Sequence, residues 1–139
     1  MTGISEIAHW EQDGMYLSMK AGEDITLGTV VELSSTVGEV DVAGDASTKP
    51  LGVAIAGYRT SRIATDNQVA EGNLVTVATR GVVNVECTGT VTVGQLVQTD
   101  TGGKVKTLTI GAHADENKAL GLALSTATDG LVKVKLLRG

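Results

Sequence analysis

At 139 residues and a formal net charge of −5, the chain suits one compact domain and is too acidic to track a nucleic-acid backbone, which calls for a basic stripe that displaces counterions. Gly, Val and Thr occur eighteen times each, there is one Pro and Phe is absent, so the core must be aliphatic and the elements short β-strands joined by glycine turns. Cys87 has no partner for a disulfide, no run approaches the roughly 18 apolar residues of a membrane-spanning helix, and the first residues lack the basic start and apolar run of a secretory signal, so a soluble, reducing compartment is expected.

Residues 1–20 differ in character from the rest of the chain. They hold Trp10 and Tyr16, two of the three aromatics, and all three Met, and no later segment repeats them. Ile4, Ile7 and Trp10 fall at a spacing of three, one face of a helical turn that Glu11-Gln12-Asp13-Gly14 does not extend. The segment reads as an N-terminal arm, with a short strand over 15–19. Trp and Tyr are enriched at interface hot spots because they bury much area with few torsions to freeze. Ile4, Ile7, Trp10 and Tyr16 are therefore the candidate contact residues. Two readings stand: they dock on a partner, adding a strand to its sheet edge, or they fold back to cap the protein's own core.

From Ala21 to Gly139 the pattern predicts one β domain made of two similar modules, over about 21–81 and 88–139. Ile25-Thr26-Leu27-Gly28-Thr29-Val30-Val31 returns as Val91-Thr92-Val93-Gly94-Gln95-Leu96-Val97. Each copy runs into a glycine turn, at Gly38 and at Gly102-Gly103. Leu51-Gly52-Val53-Ala54-Ile55-Ala56 is matched by Leu120-Gly121-Leu122-Ala123-Leu124-Ser125, two apolar runs that suit strands buried on both faces. Each module then ends on a third strand closed by Arg-Gly, at Arg80-Gly81 and Arg138-Gly139. Strands are predicted over 15–19, 28–33, 37–42, 51–57, 73–79, 81–86, 92–99, 103–108, 119–125 and 131–137. In the last, Lys133 and Lys135 point outward, with Val134 and Leu136 inward. Asp100-Thr101-Gly102-Gly103 is a hairpin turn. The polar stretches 61–72 and 111–118 have room for a single helical turn each. Modules of this kind cannot bury their apolar faces alone and must share a core.

Charge is uneven: residues 1–57 carry nine acids against two bases, and residues 58–139 carry seven acids against nine bases. Nothing in the pattern points to catalysis, a cofactor or a metal. His9 and His113 lie far apart, and His113 with Asp115 and Glu116 reads as a solvated loop. Asp41 and Asp45 are too sparse for a calcium loop. Ser34, Ser35 and Ser61 lack a nucleophile elbow, and Gly102-Gly103-Lys104 lacks the spacing of a phosphate loop. Tyr58 beside Arg59 and Arg62 reads as a rim cluster. Cys87 reads as a small buried hydrophobe.

The run Ala21-Gly22-Glu23-Asp24-Ile25-Thr26-Leu27-Gly28-Thr29-Val30-Val31 resembles the opening of tailed-phage head decoration (capsid cement) proteins, as do Leu51-Gly52-Val53-Ala54 and Ala119-Leu120-Gly121-Leu122-Ala123-Leu124 with Gly130-Leu131-Val132-Lys133-Val134. The resemblance covers 21–139. It implies a small all-β fold, a barrel or β-tulip, with an extended arm that orders on the shell. It further implies a homotrimer on the capsid exterior, made in the host cytoplasm, whose partner is the major capsid protein and which has no enzyme activity, cofactor, nucleic-acid or membrane partner. A trimer gains avidity because its second and third arms bind at high effective concentration. The alternative is a receptor- or carbohydrate-binding β module of a fibre or tail, which calls for exposed loop aromatics that this chain largely lacks.

Overall fold

A computed structural model describes residues 15–57, 68–108 and 119–137. The strands are β1 (Met15–Ala21), β2 (Ile25–Thr26), β3 (Val30–Leu33), β4 (Glu39–Val42), β5 (Pro50–Gly57), β6 (Gln68–Val69), β7 (Leu74–Glu86), β8 (Leu96–Thr99), β9 (Val105–Thr107), β10 (Gly121–Ala123) and β11 (Leu131–Leu136). The main sheet runs β1-β4-β3-β5-β7-β11-β10-β8-β9, and β1 also pairs with β7. That extra pairing closes β1, β4, β3, β5 and β7 into a five-stranded barrel. The two-residue strands β2 and β6 pair separately.

The second module repeats the first. In the first barrel β1 pairs antiparallel with β7 and parallel with β4 (Ala21 opposite Val40). In the second, the C-terminal half of β7 pairs antiparallel with β11, and Cys87 just beyond it bridges in parallel to Val105. Backbone hydrogen bonds recur at matched positions. Gly28 N–H donates to Ala54 O at 2.7 Å and Gly94 N–H to Ala123 O at 2.8 Å; Gly22 and Thr88 N–H donate to Val40 O and Val105 O, both at 2.8 Å. Gly28 and Gly94 share φ near +90°, a left-handed turn that a side chain disfavours, so this pair of glycines is fixed by the backbone.

β7 departs from the sequence reading. Arg80-Gly81 does not end a strand. β7 is continuous for 13 residues, Leu74 onward serving the first barrel and Gly81–Glu86 the second. Gly81, at φ +99°, bends the strand where it changes barrels. The first twenty residues also divide differently. Met15–Lys20 is a barrel strand, and its counterpart in the second barrel is Gly81–Glu86. Arg138 and Gly139, residues 1–14, and most of the polar stretches 61–72 and 111–118 lie outside the described residues.

The alternation of the last strand and the turn at 100–103 are present, while the strands expected over 37–42, 92–99 and 119–125 are shorter, at Glu39–Val42, Leu96–Thr99 and Gly121–Ala123. β11 alternates as read, with Val132, Val134 and Leu136 buried and Lys133 and Lys135 exposed. Residues 101–103 form a tight turn between β8 and β9, opened by the Asp100 carboxylate accepting from Thr101 N–H at 2.8 Å. The apolar run in β5 is buried on both faces only at Val53 and Ala54, each fully inaccessible, with Ile55 exposed beyond them; in the second barrel Leu122, which matches Val53, is half-buried among the described residues, and Leu124 is exposed like its match Ile55.

The core is aliphatic throughout. Ala21, Ile25, Val31, Val40, Ala54, Val69, Val75 and Val77 fill the first barrel. The second cluster holds the interior of the second barrel, including Val85, Val97, Leu120, Val132 and Val134. Val30, Ala43, Val53 and Ala78 join it from the outside of the first barrel. Two strand faces of the first barrel are thus buried, one inward and one against its twin, which is how two small modules acquire one core.

Candidate functional site

The junction of the barrels is a built polar contact. Thr99 in β8, fully buried, donates its hydroxyl to Gly44 O at 2.8 Å and accepts from Ser47 N–H at 2.8 Å, while its carbonyl accepts from Ala46 N–H at 2.9 Å. Gly103 N–H donates to Ala43 O at 3.0 Å and Glu86 N–H to Gly28 O at 2.9 Å. Lys106 Nζ lies 2.7 Å from Asp45 and 3.6 Å from Asp100. The Asp45 hydrogen bond, with both acids nearby, raises the Lys106 ammonium above its usual range. Asp100 is held below the usual carboxylate range, first by the Thr101 N–H and then by the Thr88 hydroxyl and Lys106. No local motif announces this contact. Asp45 and Lys106 are about sixty residues apart, and only the fold brings them together.

An open groove of about 560 Å³ follows the same junction, lined by Leu27 and Gly28 of the first barrel and by Glu86, Cys87, Lys104 and Asp129 of the second. Cys87 packs in the core as read from the sequence, and burial pushes its thiol up, opposed by Lys104. A thiol so placed is a poor nucleophile at neutral pH. Among the described residues, no group of three His, Cys, Asp or Glu is positioned to share a metal ion. No helix among them is long and apolar enough to cross a membrane.

Of the four candidate contact residues, Ile4, Ile7 and Trp10 lie outside the described residues, as do Tyr58, Arg59 and Arg62. Tyr16 is described. It stands second in β1, opposite Ala78 on the outer face of the first barrel, half-exposed, just after a register shift between Met15 and Tyr16. Residues 1–14 therefore lead into the barrel wall at Met15, and Tyr16 is wall rather than arm. Sequence reasoning passed over the exposed apolar side chains of the body. Val37 at the β3–β4 turn is almost wholly exposed, and Leu33, Leu74, Val82, Val93 and Leu124 are each exposed as well. Their signal was weak: Leu33, Leu74 and Val82 sit in ordinary strands, and the sequence reads Val37, Val93 and Leu124 as strand residues although the fold places them in turns and bends.

The fold defines a small, rigid, doubled β-barrel whose exposed apolar residues lie on its walls and ends. The sequence matches the structural cement protein family of phages (E217 gp24/Pam3 gp6) over residues 3–137, and the chain belongs to that family. It is a structural protein of the phage virion and its place is on the capsid. The match reaches past the resemblant segment 21–139 into the first residues of the chain. In fold it is similar to the N base of head fiber gp8.5 of bacteriophage phi29, at TM-score 0.64 and 18% identity over 91% of this chain and 96% of that one. No protein of curated function matches the sequence.

Proposed function

We propose that the protein is a capsid decoration protein that binds the exterior of a phage head as a trimer, through major capsid protein subunits, and stabilises the shell without catalysis. The observation that carries this reading is the family match across nearly the whole chain. The doubled barrel supports it physically. A fused core with matched hydrogen bonds in both modules is a stiff body, and a stiff body transmits adhesion between neighbouring coat subunits without yielding. The fold shared with a phi29 head-fiber base favours the head over the tail.

In this reading residues 1–14, with Ile4, Ile7 and Trp10, are the adhesive segment, and Tyr16 marks where it leaves the barrel wall. Purified protein added to shells lacking it binds them and raises their disruption temperature; shells that take up none would refute the function. Deleting residues 1–13 stops short of β1, so the barrels stay closed while shell affinity falls. Unchanged affinity would remove the arm from the account and leave the walls as the contact.

A further inference from the structure

The internal repeat is also a docking template. On the first barrel, Val30, Val53 and Ala78 lie side by side across β3, β5 and β7, with Tyr16 of β1 next in the row. Val30, Val53 and Ala78 are completely buried, because this wall is pressed against one end of the second barrel. That end consists of Glu86 and Cys87, the β8–β9 turn and the residues around Asp129.

The second barrel carries the same row, made of Leu96, Leu122, Lys135 and Val82 across β8, β10, β11 and β7. Nothing among the described residues covers it. Leu96 and Leu122 are half-buried, Val82 is 52% exposed, and Val93 and Leu124 alongside are exposed. Among the described residues the first barrel, conversely, leaves uncovered the end equivalent to the one used at the junction: Lys20, the β3–β4 turn with Leu33 and Val37, and Leu74. Val37 is 99% exposed and Leu74 59%. Among the described residues, one chain thus presents an uncovered wall on its second barrel and an uncovered end on its first.

The charges on these two uncovered surfaces differ from those at the matched positions in opposite senses. Where the second barrel's end holds Lys104 and Lys106, the first barrel's end holds Glu39 and Asp41. Where the first barrel's wall holds Thr76 and Ala78, the second barrel's wall holds Lys133 and Lys135. A basic wall and an end that is acidic apart from Lys20 are complementary to each other.

We infer that the wall of the second barrel (Leu96, Leu122, Lys135, Val82) docks on the end of the first barrel (Leu33, Val37, Leu74, Glu39, Asp41) of a second copy of this chain. The contact is heterologous: two different patches meet, so each copy can give one and receive one. Such a contact closes into a ring when its rotation permits, and otherwise grows as a filament. This deepens the trimer reading above, since a closed ring of three would use the contact three times.

The template also selects a test. At the junction Gly103 lies against Val30 O and the Thr29 side chain, and the equivalent neighbours between copies are the β3–β4 turn and Gln95. Val37→Cys and Gln95→Cys are made in separate full-length chains. Mixing them under mild oxidation should give disulfide-linked dimers, while neither variant alone does so. Leu122→Glu, and separately Lys133→Glu with Lys135→Glu on the exposed surface, should weaken self-association at least tenfold by sedimentation equilibrium. Retained trimer mass with no mixed cross-link overturns this contact and leaves the trimer standing. A monomer at every concentration overturns both. Normal self-association of the Leu122 variant with lost shell binding assigns the wall to coat protein and overturns the inference.

Discussion

Gly52 and Gly121 occupy matched positions in the two barrels, opposite Val31 and Val97, and each lies too close to the neighbouring strand for any side chain. A Cβ at Gly121 would overlap the carbonyl of Lys135 and the side chain of Val134; one at Gly52 would overlap the carbonyl of Ala78. Neither residue has a left-handed φ, so conformational preference alone favours alanine by about 0.5–1 kcal/mol in a strand interior. The clash opposes this. The obstructing atoms are backbone carbonyls, which cannot swing aside, so the cost sits at the top of the usual overpacking range, about 3 kcal/mol. Gly121→Ala should therefore lose about 2 kcal/mol net. At about 2.1 cal/mol/K per residue, the unfolding entropy is about 0.3 kcal/mol/K, and the melting temperature should fall by about 7 °C. Gly52→Ala should do the same in the other barrel. Gly44→Ala is the control, since a Cβ there meets nothing within 4 Å. Thermal unfolding followed by circular dichroism reads all three. A Gly121→Ala protein that melts at or above the parent temperature would refute the close-approach reasoning, because the chain-entropy gain would then be unopposed.

Leu120, 2% exposed in the second cluster, should cost about 2–4 kcal/mol when cut to alanine, whereas Val37→Ala at the exposed turn should leave stability within about 0.5 kcal/mol, both by denaturant titration. The Asp100 carboxyl is depressed in the folded state, so its stabilising contribution is present above its ordinary value of 3.8 and is lost as pH falls through the folded value. The stability gap between the parent and Asp100→Asn should accordingly hold from neutral pH to about 5 and close progressively below 3.8; a gap unchanged at pH 2 would contradict the assignment. Cys87, buried and with its thiol pushed up, should react with an aromatic disulfide reagent only as the protein unfolds, and rapid native labelling would show that the junction groove opens to the core.

Much of the body was legible in the residues. The gap-free echo of Ile25–Val31 in Val91–Val97, the paired glycine turns and the strand alternation of Leu131–Leu136 all depend on local rules, because a strand shows its two faces in a period of two and a left-handed turn demands glycine. The limits of the repeat were not legible. Met15–Lys20 and Gly81–Glu86 occupy equivalent strands with no residue in common, since an outer barrel strand asks only for an apolar inward position every second residue. The contact residues of the arm were read from residue type and position alone, which identifies adhesive chemistry and not what it touches.

By itself the sequence determined an all-β chain, an aliphatic core, a doubled module and the turn positions, since each follows from side-chain shape and backbone freedom within a few residues. Only the tertiary structure decided that one long strand runs past Gly81 through both barrels instead of ending there, that the wall of the first barrel is buried, and that the matching wall of the second is uncovered among the described residues. Those outcomes depend on which surface meets which across about sixty residues of chain. Two nearly identical apolar runs, at Leu51 and at Leu120, look alike locally and differ only in whether a second barrel lies against them.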